Sequence, residues 1–138
     1  MATSEHILFF NQISIADIGK VGGKNASLGE MYNQLNPMGI NIPNGFAVTA
    51  EGYRMFRKAN NLEKPLDDLL LSLDTKEYSN LSFIGEKARN LILSATIPEE
   101  INFEIRVAYQ ELCKQCKINH LDVAVRSSAT SEDLPSAS

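Results

Sequence analysis

Apolar positions change their period along the chain, and the changes mark the elements. From Ile7 to Ile13, β-branched and aromatic side chains dominate, the composition of a short strand. A glycine-rich turn follows, Gly19-Lys20-Val21-Gly22-Gly23-Lys24. Leu28, Met31, Tyr32 and Leu35 then recur at i, i+3, i+4, i+7, one face of a helix that ends in the turn Asn36-Pro37-Met38-Gly39. Beyond Pro43-Asn44-Gly45, the run Phe46–Val48 predicts a second strand. Thr49 is placed to cap a helix over 50–59, because its hydroxyl can accept from a first-turn amide. Residues 62–96 predict two further helices, with breaks near Pro65 and Asp74. Pro98 opens another helix, with Glu99 and Glu100 at its positive end and Ile101, Ile105, Ala108 and Leu112 on one stripe. Finally, Leu121 to Arg126 alternates as a strand: Leu121, Val123 and Val125 share one face, and Asp122, Ala124 and Arg126 the other. Strands intermixed with a long helical stretch predict an α+β fold, a small mixed sheet with packed helices. The dinucleotide fingerprint is absent, which argues against a doubly wound sheet.

The 138 residues are 43% apolar and 22% charged, ordinary globular composition for one domain or part of a larger one. A net charge of -4 argues against a general nucleic-acid footprint. No apolar run reaches the roughly 18–20 residues that span a bilayer. The first ten residues lack the basic lead and long apolar stretch of a signal peptide. The expected compartment is the cytoplasm, with Cys113 and Cys116 reduced, and neither nucleic acid nor membrane is an expected partner.

Within this frame, Val21-Gly22-Gly23-Lys24-Asn25 has the chemistry of an anion site. Its glycines allow close approach of backbone to ligand, the helix behind them presents free amides, and Lys24 adds a full charge. It is not a P-loop, which requires glycine where Ile18 stands and serine or threonine where Asn25 stands. The same residues also suit a tight strand-to-helix turn with a solvated lysine. A second constellation, Ala124 to Asp133, delivers Arg126 from a strand into a hydroxyl-rich turn. Arginine grips phosphate bidentately, and Ser127 and Ser128 can cradle further oxygens. The alternative is an arginine paired with Glu132 or Asp133. The third, Cys113-Lys114-Gln115-Cys116 followed by His120, sits at a helix C-terminus, where the dipole disfavours thiolate. It also has too few ligands for closed zinc, so no metal ligand is predicted. By helical angle Cys116 falls on the Ile101/Leu112 stripe and reads as core. Neither His6 nor His120 has an evident nucleophile or acid partner, and no catalytic residue is predicted.

Four stretches, VGGKNASLGEM at 21–31, IPNGFAVTAEGYRMF at 42–56, IPEEINFEIRVAYQEL at 97–112 and AVRSSATSEDLPSAS at 124–138, together resemble the N-terminal nucleotide-binding domain of the phosphoenolpyruvate synthase (pyruvate, water dikinase) family. The resemblance says little about residues 61–96. It implies the first subdomain of an ATP-grasp domain over 1–138, truncated, with the second subdomain, the phosphohistidine domain and the pyruvate domain absent. It implies ATP and magnesium as cofactors, with the magnesium ligands downstream. Lys24 and Arg126 carry over as contacts to the ATP phosphates and should converge, with Gly22, Gly23, Ser127 and Ser128 as further contacts. The family makes phosphoenolpyruvate, a gluconeogenic step, from ATP, pyruvate and water through a phosphohistidine. This chain alone is expected to be inactive. The partners implied are the remaining domains and a second copy of the chain. A pyruvate, phosphate dikinase, a rifamycin-type phosphotransferase and a non-catalytic nucleotide-binding module are the alternatives. The run Ser127-Ser128-Ala129-Thr130 favours the water dikinase over the phosphate dikinase, whose motif reads Ser-Gly-Ala.

Overall fold

The computed structural model describes residues 4–131. They fall into two compact units, one of residues 4–53 and 99–131 and the other of 54–98.

In the first unit, β1 (Ile7–Phe9) and β2 (Phe46–Val48) pair antiparallel, with Leu8 opposite Ala47 and Phe9 opposite Phe46. The strand expected to run to Ile13 stops at Phe9. There the Gln12 side chain accepts the Phe9 amide at 2.9 Å, and Phe10–Gln12 coils into a 3-10 turn. Ile13 emerges from that turn only 1% exposed and anchors a core with Val21, Ala26 and Ala47, against which Leu8, Phe10 and Ile18 pack. This region is mixed and helix-rich with a two-stranded antiparallel sheet, in keeping with α+β and unlike a doubly wound fold.

Two helices meet at a glycine. α1 (Ile18–Val21) ends where Gly22 adopts φ +85, and α2 (Gly23–Leu35) restarts from it. The stripe expected to bury α2 does not lead its packing: Met31 is 39% exposed, and Leu28, Tyr32 and Leu35 are half-buried. Small residues do the close packing instead. Ala26 and Gly29 are buried, and a Cβ on Gly29 would lie 2.5 Å from Ile13 Cβ. Asn33 on the same face donates to the Phe10 and Ile13 carbonyls. Gly39, at φ +83, closes the helix end, with Ile40 N–H donating to Leu35 O.

Thr49 is the cap that the sequence predicts. It is buried, accepts from Gly52 N–H at 3.3 Å and donates to Glu5 O, starting α3 (Ala50–Ala59). α6 (Glu99–Cys116) buries Ile101, Ala108, Leu112 and Cys113. Cys116 is exposed, contrary to its expected place in the core. It is the last helical residue, and the chain turns away immediately through Lys117 at φ +56, with Ile118 N–H on Cys113 O. The strand expected over Leu121–Arg126 does not form among the described residues. The segment has no regular secondary structure, Val123 is 50% and Val125 91% exposed, and Leu121 is held by its carbonyl, which accepts from Tyr109 Oη–H at 2.8 Å. Alternation supplies a strand's faces, but a strand also requires an edge to pair with.

The second unit carries α4 (Glu63–Leu71) and α5 (Leu81–Ser94), the two helices expected there. Its buried residues include Leu62, Leu66 and Ile84. Pro65 does not break the chain; it lies in the first turn of α4, where a missing amide costs no helical bond. Asp74 does mark a break. Its carboxylate accepts from Ser79 Oγ at 2.7 Å and from the Lys76 and Glu77 amides, and the Ser79 hydroxyl first, then those amides, lower its pKa. Asn60 ties the return of the chain, donating to Thr96 O and accepting from Thr96 N–H.

Candidate functional site

The α1–α2 junction is built by its own sequence. Ser14 caps the 3-10 turn Ile15–Asp17 by accepting from Ala16 N–H, and Asp17 returns the bond by accepting from Ser14 N–H at 2.9 Å. The Ser14 amide, with Lys20 lying 3.5 Å away, holds the Asp17 carboxyl below the usual carboxylate range. Glu30 on α2 accepts from Ile15 N–H at 3.0 Å, tying the turn to the helix behind it. At the junction Gly22 supplies no capping side chain. Instead Asn25 Nδ2 donates to Val21 O at 2.8 Å, and Ala26 N–H to Gly22 O. The amides of Gly23, Lys24 and Asn25 precede the first intrahelical partner, so the start of α2 carries the positive end of its dipole. Lys24 is exposed in that first turn.

The second motif comes to the same place. A Cβ on Gly22 would sit 2.7 Å from Ala129 O, 3.1 Å from its carbonyl carbon and 3.2 Å from its nitrogen. Backbone therefore passes over backbone at this point, and glycine is required at position 22 both for φ and for space. The segment crossing it holds exposed Arg126, Ser127 and Ser128 a few residues before the contact. The structure thus brings together the Gly22–Gly23–Lys24 turn and the Arg126–Ala129 segment, the two constellations singled out from opposite ends of the sequence. Glu132 and Asp133, the alternative partners for Arg126, lie outside the described residues.

Other chemistry-bearing residues fall elsewhere. Cys113 is buried and Cys116 exposed, and among the described residues neither joins a group of ligating side chains, nor does His120. His6, assigned no role from sequence, pairs with Glu104 of α6 at 2.7 Å. Ser14, Asp17 and Glu30 support the turn without carrying phosphate chemistry of their own. The spacing Ser14-x-x-Asp17 is a capping-box signal that could have identified the turn.

Residues 18–138 match the family described as pyruvate phosphate dikinase, AMP/ATP-binding domain. The chain is 47% identical over 96% of its length to a phosphoenolpyruvate synthase of Synechocystis sp. and 41% identical over 96% to one of Neisseria meningitidis serogroup B. It is 38% identical over 99% to one of Escherichia coli (strain K12). In each case it spans 17% of the relative's own length. No helix among the described residues is long and apolar enough to cross a membrane. The chain belongs to the pyruvate phosphate dikinase AMP/ATP-binding domain family.

Proposed function

We propose that this chain is the ATP-binding front of a phosphoenolpyruvate synthase, the first subdomain of an ATP-grasp domain working in the cytoplasm. In the complete enzyme ATP, pyruvate and water yield AMP, phosphoenolpyruvate and phosphate through a phosphohistidine carried by a separate domain. The contact of Gly22 with the Ala129 backbone carries this reading, because it sets a helix start bearing Lys24 beside a segment bearing Arg126. Lys24 and the first-turn amides of α2 bind phosphate oxygens as a charge and a dipole. Arg126 grips a second phosphate group bidentately, and Gly22, Gly23, Ser127 and Ser128 admit or hydrogen-bond the remaining oxygens. The two cations belong within about 10 Å of each other, where their repulsion without an anion is only about 0.4 kcal/mol in water.

These residues position and neutralise the nucleotide; the phosphoryl acceptor lies in other domains. Gly22–Asn25 and Arg126–Ser131 contain no carboxylate, so they do not fit a magnesium site. The ion's ligands belong to another part of the complete enzyme. The relatives' shared name favours the water dikinase over the phosphate dikinase.

The test is Lys24→Ala and Arg126→Ala in the full-length enzyme. Each is expected to lower pyruvate-dependent ATP consumption by about a hundredfold, the scale of one lost charge-stabilising contact. Unchanged consumption in both variants overturns the assignment. The 138-residue chain alone is expected to consume no ATP with pyruvate.

A further inference from the structure

We propose that His6, Glu100 and Glu104 form a divalent transition-metal site that clips the start of β1 to α6. One ligating atom from each of these residues lies within 4.8 Å of the others. The arrangement follows from the fold. Glu100 and Glu104 are one turn apart on α6 and so share a face. His6 immediately precedes β1, and its carbonyl accepts from Thr49 N–H at 2.9 Å, which fixes the ring's origin against the sheet. Ser4 Oγ accepts from the His6 and Ile7 amides, fixing the same backbone from the other side.

The cluster has inner and outer contacts of the kind a metal site uses. His6 Nδ1–H donates to Glu104 Oε2 at 2.7 Å, and Ser4 Oγ–H donates to Glu104 Oε1 at 2.6 Å. The imidazole and the Glu104 carboxylate are 13% and 23% exposed, while Glu100 is exposed. A cation entering from the Glu100 side takes Nδ1 and both carboxylates; the Nδ1 proton passes through water to Nε2 in the neutral ring, or is released to water from the protonated one, so the ligand is neutral imidazole. The Ser4 hydroxyl keeps its bond to Oε1 and orients the carboxylate from behind. One nitrogen, two carboxylate oxygens and a water complete a four-coordinate sphere of the zinc type. The imidazole selects zinc, cobalt or nickel over magnesium and calcium, which take oxygen ligands. Both carboxylates lie near the helix N-terminus, whose partial positive charge opposes a cation, so micromolar rather than tighter affinity is expected. The site shares no residue with the Gly22/Arg126 constellation and does not rest on the nucleotide reading. It also uses neither Cys113 nor Cys116.

The experiment is calorimetric titration of the 138-residue chain with zinc, with cobalt absorption as a second readout. One zinc per chain is expected, with a rise in melting temperature. Glu100→Gln, an exposed change that leaves the fold intact, is expected to weaken binding about tenfold or more. His6→Ala is expected to abolish it, and Cys116→Ser to leave it unchanged. No binding at millimolar zinc, binding unaltered by Glu100→Gln, or binding lost with Cys116→Ser would each overturn the proposal.

Discussion

The two motif-bearing segments of the first unit differ in how much of their conformation they carry themselves. Residues 14–35 are knitted locally: a reciprocal cap at Ser14 and Asp17, a glycine break at position 22, and a helix whose backbone bonds are internal. Residues 121–129 form no regular secondary structure and are exposed apart from half-buried Leu121, held by the Tyr109 bond at one end and the Gly22 contact at the other. The difference is one of hydrogen-bond accounting. A helix satisfies its amides within its own segment, whereas a strand must find a neighbour. A motif on a helix start is therefore preformed, and one on a strand end is only as ordered as the edge beside it.

The largest effect that separates the two segments is core truncation. Ile13, 1% exposed and seated on Gly29, anchors the core beneath the first segment together with Ala47 of β2. Ile13→Ala is expected to cost about 4 kcal/mol in urea unfolding of the 138-residue chain. A cost below 1 kcal/mol would mean that residues 14–35 are held by something other than this core. Next comes the junction itself. Gly22→Ala imposes φ +85 on a residue with a Cβ and drives that atom onto Ala129 O, so about 3 kcal/mol is expected. Gly19→Ala is its control, since a Cβ there meets nothing within 4 Å, and α1 should gain about 0.5–1 kcal/mol. Equal effects at positions 19 and 22 would break the contact on which the comparison turns.

Much of this was legible in the sequence where the signal was local. The cap at Thr49, the stop at Gly39, the presence of two helices within 62–96 though not their bounds, and both glycine and arginine motifs could be read directly, because each rests on side chains near in sequence. What could not be read depended on partners elsewhere. The close-packed face of α2 is carried by Ala26 and Gly29, which no hydrophobic periodicity flags, since a glycine packs by letting Ile13 in. Cys116 satisfied the angular rule for the α6 stripe and still lies outside the core, because the stripe does not say where the helix stops. Leu121–Arg126 had the alternation of a strand but no ladder among the described residues. The roles of Lys24 and Arg126 toward phosphate remain the proposal made above, supported by their segments meeting at Gly22 and Ala129.

A smaller effect sharpens the local side of the comparison. The Ser14 amide, aided by Lys20, depresses the Asp17 carboxyl, so the folded state binds its proton less readily than the unfolded chain. The resulting stability is fully present above the unfolded value near 3.8 and is lost as pH falls through the lower folded value. Asp17→Asn should cost about 1 kcal/mol at neutral pH, the scale of a cap, and should flatten the acid limb of the stability profile. An unchanged acid limb in the variant would show that the Ser14–Asp17 exchange does not hold the turn before α1.

The smallest effect tests the other side. Val125 is 91% exposed, and its segment pairs with no strand among the described residues. Val125→Thr keeps the shape and the β-branch while adding a hydroxyl that water can satisfy at an exposed site. In the 138-residue chain it should change stability by less than about 0.5 kcal/mol. The alternation of Leu121, Val123 and Val125 would let residues 121–126 join a sheet in the full-length enzyme if another domain supplied the edge. The same substitution then buries a hydroxyl without a partner and should cost about 1–3 kcal/mol. The measurement is one substitution in two backgrounds, by urea unfolding of the chain and thermal unfolding of the enzyme. A cost near zero in both would show that this face stays in water even when the protein is complete. The Arg126 segment would then be a surface strap across Gly22, not the end of a strand that aims a cation at phosphate.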